Sequence, residues 1–564
     1  MTSNSNIQEE IYKKYKKYKF KPSINKKTLK EICKPPNQFS HQNPQKFLAE
    51  FMSPKTKNKA ILVFHQIGSG KTCTAINIAE QWKNKRKIWI ILPASLIGNF
   101  YDELRSPCAF DNYMTSNERN KINNDNKTEI IEKTNERINK VYTILSYNKF
   151  ISMIEENKVK LTNSLIIIDE IQNMISEYGT YYQKLSMIIK KSPEDLRIIL
   201  LSATPIFDKP VELALTLNLL PLENKLPIGQ EFNDMFLSLS ETKSGIPFYK
   251  FINQDIFKNA IRGFVSYYRG MPKKSFPNSE LHIVKCTMDS FQYSSYKVVQ
   301  LKEKKASKID LLKLPNNFFI GTRIISNIAY PNGKVNAKGY DSWKKKYLKG
   351  KSLKKYSIKF YKIIKNIRKS EGKIFVYSNF VEYGGLKPFK PVLEANGFIE
   401  YKSKMELKPN KKYFATWSGD ESLEFKEEIK GLYNNPKSPL VLMLGSPAIK
   451  EGVTLKRVRQ IHILEPYWNY SRLSQIIGRG IRFCSHADLP KKEQFVDIFL
   501  YLAVRPNENK YKKSKNILTK MSVDRYINYL AISKQNLIEE FENLLKKEAL
   551  DCLLNKEING VECS

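Results

Sequence analysis

Three clusters of residues in this chain have the types and spacing needed to handle a polyphosphate. The first is Gly68-Ser69-Gly70-Lys71-Thr72. Glycines let backbone N–H groups approach phosphate oxygens, Lys71 carries a charge that reaches β and γ phosphates, and the Thr72 hydroxyl suits Mg²⁺. The second is Asp169-Glu170. An Asp can hold Mg²⁺ through water, and a Glu beside it can orient and deprotonate an attacking water. The third is Gln475, Arg479 and Arg482. Spaced i, i+4 and i+7, they share one face of a helix, and paired arginines stabilise charge on a transferring phosphoryl group. Each cluster also has a plainer reading: a surface turn, a cap on the helix that follows, a solvated basic face. Together and in this order they favour phosphoryl transfer with ATP and Mg²⁺ as cofactors.

The elements that must position these groups are legible around them. An apolar run at 61–64 reads as a buried strand before the glycine turn, and 72–80 has helical composition. His65 stands where the phosphate-loop consensus begins with Gly. Further strands are predicted at 88–92, ended by Pro93-Ala94-Ser95; at 141–145, followed by Ser146-Tyr147; at 165–168, ended by Asp169-Glu170; and at 197–201, ended by Ser202-Ala203-Thr204. Apolar strands alternating with helical patterns imply a parallel sheet, which binds ligands at the carboxyl ends of its strands. The pattern restarts with strands at 373–377, 440–444, 460–464 and 495–500. The fold class is therefore α/β, with two parallel-sheet lobes. The expected division is a basic leader (1–40), a first lobe (41–245), a basic and mostly helical connecting segment (246–350), a second lobe (351–508) and a helical tail (509–564). The stretch 115–140 reads as an exposed excursion and 352–369 as one basic helix. In the tail, Ile532, Leu537, Ile538, Phe541, Leu544 and Leu545 mark an amphipathic helix packed on the body.

Composition narrows the partners. A chain of 564 residues with 41% hydrophobic content is too long for one core and too apolar for disorder. Its net charge of +39 comes from 95 Lys and Arg against 56 Asp and Glu. A lysine-rich proteome would raise the acids too, so an anionic polymer is the better explanation. Seven cysteines show no C-x-x-C pair and no close histidine spacing. That argues against a zinc site or disulfide framework and fits a reducing compartment. No signal core and no membrane-length run is seen, so a soluble intracellular protein without a membrane partner is expected. Between 338 and 373, Trp343, Tyr347, Tyr356, Phe360 and Tyr361 are interleaved with lysines. Stacking platforms for a single strand are one reading, and core packing is favoured for Phe360 and Tyr361.

Taken in order from about 41 to 510, the motifs resemble superfamily 2 helicases and translocases, most closely the Swi2/Snf2-related ATPases of large cytoplasmic DNA viruses. Asn43-Pro44-Gln45 is similar to the glutamine motif, which implies that Gln45 reads adenine. Residues 65–72 resemble motif I and Leu92-Pro93-Ala94-Ser95-Leu96 motif Ia, so Pro93 and Ser95 are implied contacts to the tracked strand. Asp169-Glu170-Ile171-Gln172 resembles motif II, with Gln172 where many relatives have His. Ser202-Ala203-Thr204 resembles motif III and is implied to couple hydrolysis to movement. Residues 373–379 are similar to motif IV, and Glu451-Gly452-Val453-Thr454-Leu455 to motif V, with Gly452 near the nucleotide and Thr454 on nucleic acid. Residues 475–482 resemble motif VI, with Arg479 and Arg482 as arginine fingers. The stretches 261–268 and 377–386 are similar to the poxvirus-type early transcription factor small subunit and to nucleoside triphosphatase I.

The resemblance implies two RecA-like lobes, DNA as the tracked polymer (with RNA open), a second transcription-factor subunit or RNA polymerase as partner, and work in a cytoplasmic viral factory or a packaged virion. Two other readings remain at this level. One is a strand-separating helicase for DNA or RNA. The other is a scaffold subunit with a decayed ATPase, against which stand Lys71, Thr72, Asp169, Glu170, Arg479 and Arg482, all present.

Overall fold

A computed structural model of the protein describes residues 7–20, 29–34, 39–122, 126–242, 247–270, 273–304, 318–450, 453–508 and 521–564. The chain divides into two compact units, one formed by 1–240, 249–272 and 536–564 and the other by 241–248 and 273–535.

The first unit is built on six strands: β1 (Ala60–His65), β2 (Lys87–Leu92), β3 (Tyr142–Ser146), β4 (Ser164–Ile168), β5 (Arg197–Ser202) and β6 (Val265–Tyr268). Their order is β3-β2-β4-β5-β1-β6, with every pairing parallel. β1 and β4 are buried along their whole length, as expected of central strands rich in Ile, Leu and Val with helices on both faces. The register sets Phe64 beside Ser202 and His65 beside Tyr268, so the turns after β1, β5 and β6 emerge together. β6 adds a strand of this sheet to the segment expected as a mostly helical connection. It is only four residues long, too short for its period to stand out. The stretch read as an excursion instead holds the helices Ser116–Lys121 and Lys127–Asn139. A reciprocal Thr115–Glu118 cap starts the first of these, and Thr134 and Ile138 anchor the second in the core.

The C-terminal residues complete this unit. In the helix Val523–Glu548, the expected apolar face is buried at Leu537, Ile538, Phe541 and Leu545 and half-buried at Leu544, whereas Ile532, expected on the same face, is exposed. Phe541 stacks on Phe251 with 3.7 Å between ring centroids and also meets Phe232 and Phe257. A last helix, Cys552–Asn559, follows.

The second unit holds seven strands: β7 (Asn278–Thr287), β8 (Lys373–Tyr377), β9 (Phe398–Glu400), β10 (Lys412–Trp417), β11 (Leu440–Gly445), β12 (Val458–Ile463) and β13 (Phe495–Val504). Their order is β9-β10-β11-β8-β12-β13-β7, again parallel throughout. β7 is a second strand within the segment expected as a connection: it pairs with β13 over its full length, from Asn278 with Phe495 to Thr287 with Val504. As an edge strand it stays largely exposed, which mutes its apolar signal. The single basic helix expected over 352–369 is two, Gly350–Tyr356 and Ile358–Ile367. Ser357 breaks the first with extended backbone and caps the second by accepting from the Phe360 N–H at 3.1 Å. Trp343, Tyr356 and Phe360 are buried in the unit's core and Tyr347 and Tyr361 pack against it, so these rings are not stacking platforms.

The cysteine reading is also corrected. Cys73 is bonded to Cys108 and Cys552 to Cys563, across sequence separations of 35 and 11. Spacing along the chain does not report which Cα atoms the fold brings within bridging reach. No described helix is long and apolar enough to cross a membrane.

Candidate active site

The phosphate loop begins where β1 ends. Gly68 and Gly70 take φ of 82° and 78°, the left-handed region open to glycine, and the helix Lys71–Glu80 starts directly after. A Cβ on Gly70 would lie 2.7 Å from Gln45 Nε2. Gln45 therefore sits hard against the loop. Its Nε2 donates to the Gly70 carbonyl at 3.1 Å, and its Oε1 accepts from the Gln42 N–H at 2.8 Å. Gln45 is held by the helix Asn43–Phe51, whose Pro44 fits the first turn, where a missing N–H costs nothing.

Lys71 reaches across to the end of β4. Its Nζ donates to Glu170 Oε1 at 2.6 Å and lies 3.7 Å from Asp169 Oδ1. Burial works to lower the Lys71 pKa, but the two carboxylates outweigh it and the net direction is up. Burial pushes the Asp169 carboxyl up to about 6, with Lys71 opposing. Glu170 has a φ of 50°, left-handed for a residue with a Cβ. Such backbone costs on the order of 1–3 kcal/mol and gathers at functional sites. Tyr147 helps to hold the turn, its hydroxyl donating to the carbonyls of Asp169 and Glu170.

From Glu170 the network continues to the end of β5. Gln172 Nε2 donates to Glu170 Oε2 at 2.6 Å, and Ser202 Oγ donates to Gln172 Oε1 at 2.6 Å. One amide, a donor at one end and an acceptor at the other, spans the two strand ends. Ser202 Oγ also accepts from the Thr204 N–H at 3.0 Å, which orders Ser202-Ala203-Thr204. Pro93 is buried and Ser95 exposed just after β2, at the same edge of the sheet.

The fit to a nucleotide with Mg²⁺ rests on these observations. Gly70 is held in left-handed backbone, where a Cβ would also displace the Gln45 amide, and Ser69 Oγ is buried with no hydrogen-bond partner among the described residues. Thr72, half-buried at the helix start, offers a hydroxyl and Asp169 a carboxylate, an all-oxygen set that suits a hard cation.

In the second unit, Gln475 and Arg479 lie on the helix Tyr470–Gly480. Arg482 lies beyond its end, so the shared helical face expected for all three stops at Arg479. The reason is local: Gly478 and Gly480 weaken the helix, and Ile481 leaves helical geometry. Gly480 is packed closely enough that a Cβ would meet Val458 and Ile461 of β12 at 3.1–3.2 Å. Arg479 is only 9% exposed and its carbonyl accepts from the Leu455 N–H at 2.9 Å, joining motifs V and VI. Burial lowers the Arg482 pKa from its ordinary value. Thr454 is half-buried, its carbonyl accepting from Asn434 Nδ2 at 2.9 Å, and Gly452 lies outside the described residues.

Sequence reasoning passed over several residues that organise this machinery. Tyr147 was visible only as the residue after a strand. Glu465, which the sequence placed only in a family-like strand-end stretch (465–469), is fully buried and accepts from the Ser378 hydroxyl, the Asn379 N–H and Asn327 Nδ2. Lys359, itself buried, pairs with Asp524 at 2.6 Å. An alternating apolar pattern does not show which polar residue will be buried with a partner.

Comparison with known proteins gives the same reading. Residues 44–338 match the SNF2-related domain family and residues 358–484 the helicase conserved C-terminal domain. The chain is 46% identical over 566 residues to a protein of Acanthamoeba polyphaga mimivirus named "Putative ATP-dependent RNA helicase", covering 98% of this chain and 96% of that one. It is 26% identical over 567 residues to the termination factor NPH-I homolog of African swine fever virus, covering 90% and 78%. Among solved structures, the Sulfolobus solfataricus SWI2/SNF2 ATPase core in complex with dsDNA aligns with a TM-score of 0.31 at 16% identity, covering 92% and 96%. The order of motifs, the two parallel-sheet units and the full-length likeness to the mimivirus protein converge: the chain belongs to the SNF2-related family of helicase-type ATPases.

Proposed function

We propose that the protein is a nucleic-acid-stimulated ATPase that couples ATP hydrolysis to movement along DNA, in viral-type transcription. The observation that carries this reading is the continuous network Lys71–Glu170–Gln172–Ser202, which runs from the phosphate loop to the motif III strand end.

Each residue has a task in it. Backbone N–H groups of 68–72 and the Lys71 ammonium grip the β and γ phosphates. Thr72 and Asp169 would hold Mg²⁺, which when bound neutralises phosphate charge. With phosphate to pair with, Lys71 releases Glu170, whose carboxylate then orients the attacking water and takes its proton. Gln172 transmits the position of Glu170 to Ser202, and so to Ala203 and Thr204. Arg479 and Arg482 stabilise charge on the terminal phosphate, with Gln475 orienting water beside them. Gln45 binds adenine and adjusts the loop through Gly70. Pro93, Ser95 and Thr454 contact the strand backbone, and Gly452 approaches the nucleotide. The expected site of action is the cytoplasmic viral factory, with a polymerase or second factor subunit as partner.

A second reading is favoured by the name of the mimivirus relative: a helicase acting on RNA. ATP hydrolysis measured with duplex DNA, single-stranded DNA and RNA side by side separates the two. Stimulation greatest with duplex DNA and fading at high salt, as releasing counterions into a saltier solution gains less free energy, is expected. Stimulation by RNA alone would replace the DNA reading with the RNA one.

A further inference from the structure

The phosphate loop has a support that no motif announces. The Gln66 N–H donates to the Tyr268 carbonyl at 3.0 Å, and a Cβ on Gly270 (φ 85°) would lie 3.1 Å from both Cα and Cβ of Ser69. The chain leaving β6 thus lies directly on the loop. β6 is in turn clasped by the segment 549–559. Leu550 N–H donates to the Val265 carbonyl at 2.8 Å. Asn559 accepts from the Arg269 N–H at 2.9 Å and donates to the Tyr267 carbonyl at 3.0 Å. Asp551 Oδ1 accepts from the Tyr267 N–H at 3.0 Å.

Through this clasp runs a chain of three wholly buried side chains. Ser266 Oγ donates to Asp551 Oδ2 at 2.7 Å and lies 3.1 Å from His65 Nε2. Asn555 Nδ2 also donates to Oδ2, at 3.1 Å. The protons can be assigned by donor and acceptor logic alone. Burial raises the Asp551 carboxyl to about 6, so at higher pH it is ionised and only accepts, and the Ser266 proton points to Asp551. Its oxygen must then accept from His65, and the single proton of a neutral imidazole sits on Nε2. Burial keeps the ring neutral, with its pKa pushed down to about 3. Nδ1 is left with a bare lone pair, buried and without a partner among the described residues.

We propose that Asp551 and Ser266 are positioning residues of the phosphate loop: they fix His65 as the Nε2–H tautomer, so that Nδ1 accepts an N–H of the loop when it closes on nucleotide phosphates. The proposal rests on the nucleotide-binding reading of that loop and deepens it, because it makes the segment 549–559 a working part of the site. It also gives a chemical reason for His at the position where a Gly is usual: a glycine has no side chain with which to receive the signal.

The test uses the full-length protein labelled with ¹⁵N-histidine, in which His65 is one of five histidines and is assigned by its loss in His65→Gln. The expected spectrum without nucleotide has a protonated Nε2 and a bare Nδ1, and MgADP shifts Nδ1 toward a hydrogen-bonded value. Asp551→Asn keeps the size but adds a donor facing Ser266. It is expected to move the proton to Nδ1 and to raise the KM for ATP about tenfold while kcat stays within about twofold. Ser266→Thr keeps the hydroxyl and the wild-type tautomer; Ser266→Ala follows Asp551→Asn. A wild-type ring protonated on Nδ1, an Nδ1 indifferent to MgADP, or an Asp551→Asn protein with unchanged tautomer and KM would overturn the proposal. If Asp551→Asn does not fold, the wild-type spectra with and without MgADP decide alone. A wild-type protein that binds MgADP but hydrolyses no ATP would sink the ATPase reading and leave the tautomer result standing.

Discussion

Gln172 shows how a departure from a familiar motif can preserve its mechanics. A histidine in that place offers a donor and an acceptor on a ring. Gln172 offers the same pair on an amide and uses both, toward Glu170 and toward Ser202. Gln172→Ala removes both bonds at once, leaving basal hydrolysis detectable but abolishing its stimulation by DNA, as read from paired rates with and without duplex. Glu170→Gln keeps the bond to Lys71 but not the base, so turnover should fall by about 10²–10⁴ while ATP binding persists, measured by nucleotide retention on a filter. At this scale the charged chemistry was legible in the sequence, since Lys71, Asp169 and Glu170 are brought together as their order implied. What was not legible is polar and buried. Tyr147, Ser266 and Asp551 act through hydrogen bonds to partners distant in sequence, and no local period records those.

The elements carry predictions of their own. Phe541 is fully buried in a cluster with Phe232, Phe251 and Phe257. Phe541→Ala should destabilise the first unit by about 3–5 kcal/mol, read as a lower denaturant midpoint for that unit's transition. In β12, His462 is buried, its Nε2 donating to Gln460 Oε1 at 3.0 Å and its Nδ1 accepting from the Tyr501 hydroxyl at 2.8 Å, and burial pushes its pKa down to about 3. The folded form excludes the proton that the unfolded chain takes up near its ordinary value of 6.5. Stability is therefore present above that value and lost as pH falls toward 3, by about 2 kcal/mol between pH 6.5 and 5. His462→Gln should flatten this slope for the second unit in denaturant titrations across that range. Long apolar strands such as β1, β4 and β11 were readable, because runs of Ile, Leu and Val between helical stretches have few other uses. β6 and β7 were not: one is too short and the other too exposed. The helix carrying Gln475 and Arg479 ended sooner than its i+7 spacing suggested, because its glycines offset propensity at the C-terminus.

For the molecule as a whole, the net charge of +39 suits binding to a nucleic-acid backbone, and the proposed function has it do so without reading sequence. DNA affinity should accordingly fall steeply and log-linearly with salt, in fluorescence anisotropy, and should differ little between unrelated sequences of equal length. The central proposal is that ATP bound by Lys71 and Asp169-Glu170 requires Arg479 and Arg482 for its hydrolysis. Its most direct test is single-turnover hydrolysis of bound ATP by Arg482→Ala, beside its affinity for a non-hydrolysable analogue. The expected result is a rate lowered by about 10³ or more with affinity nearly unchanged; hydrolysis at the wild-type rate would contradict the account.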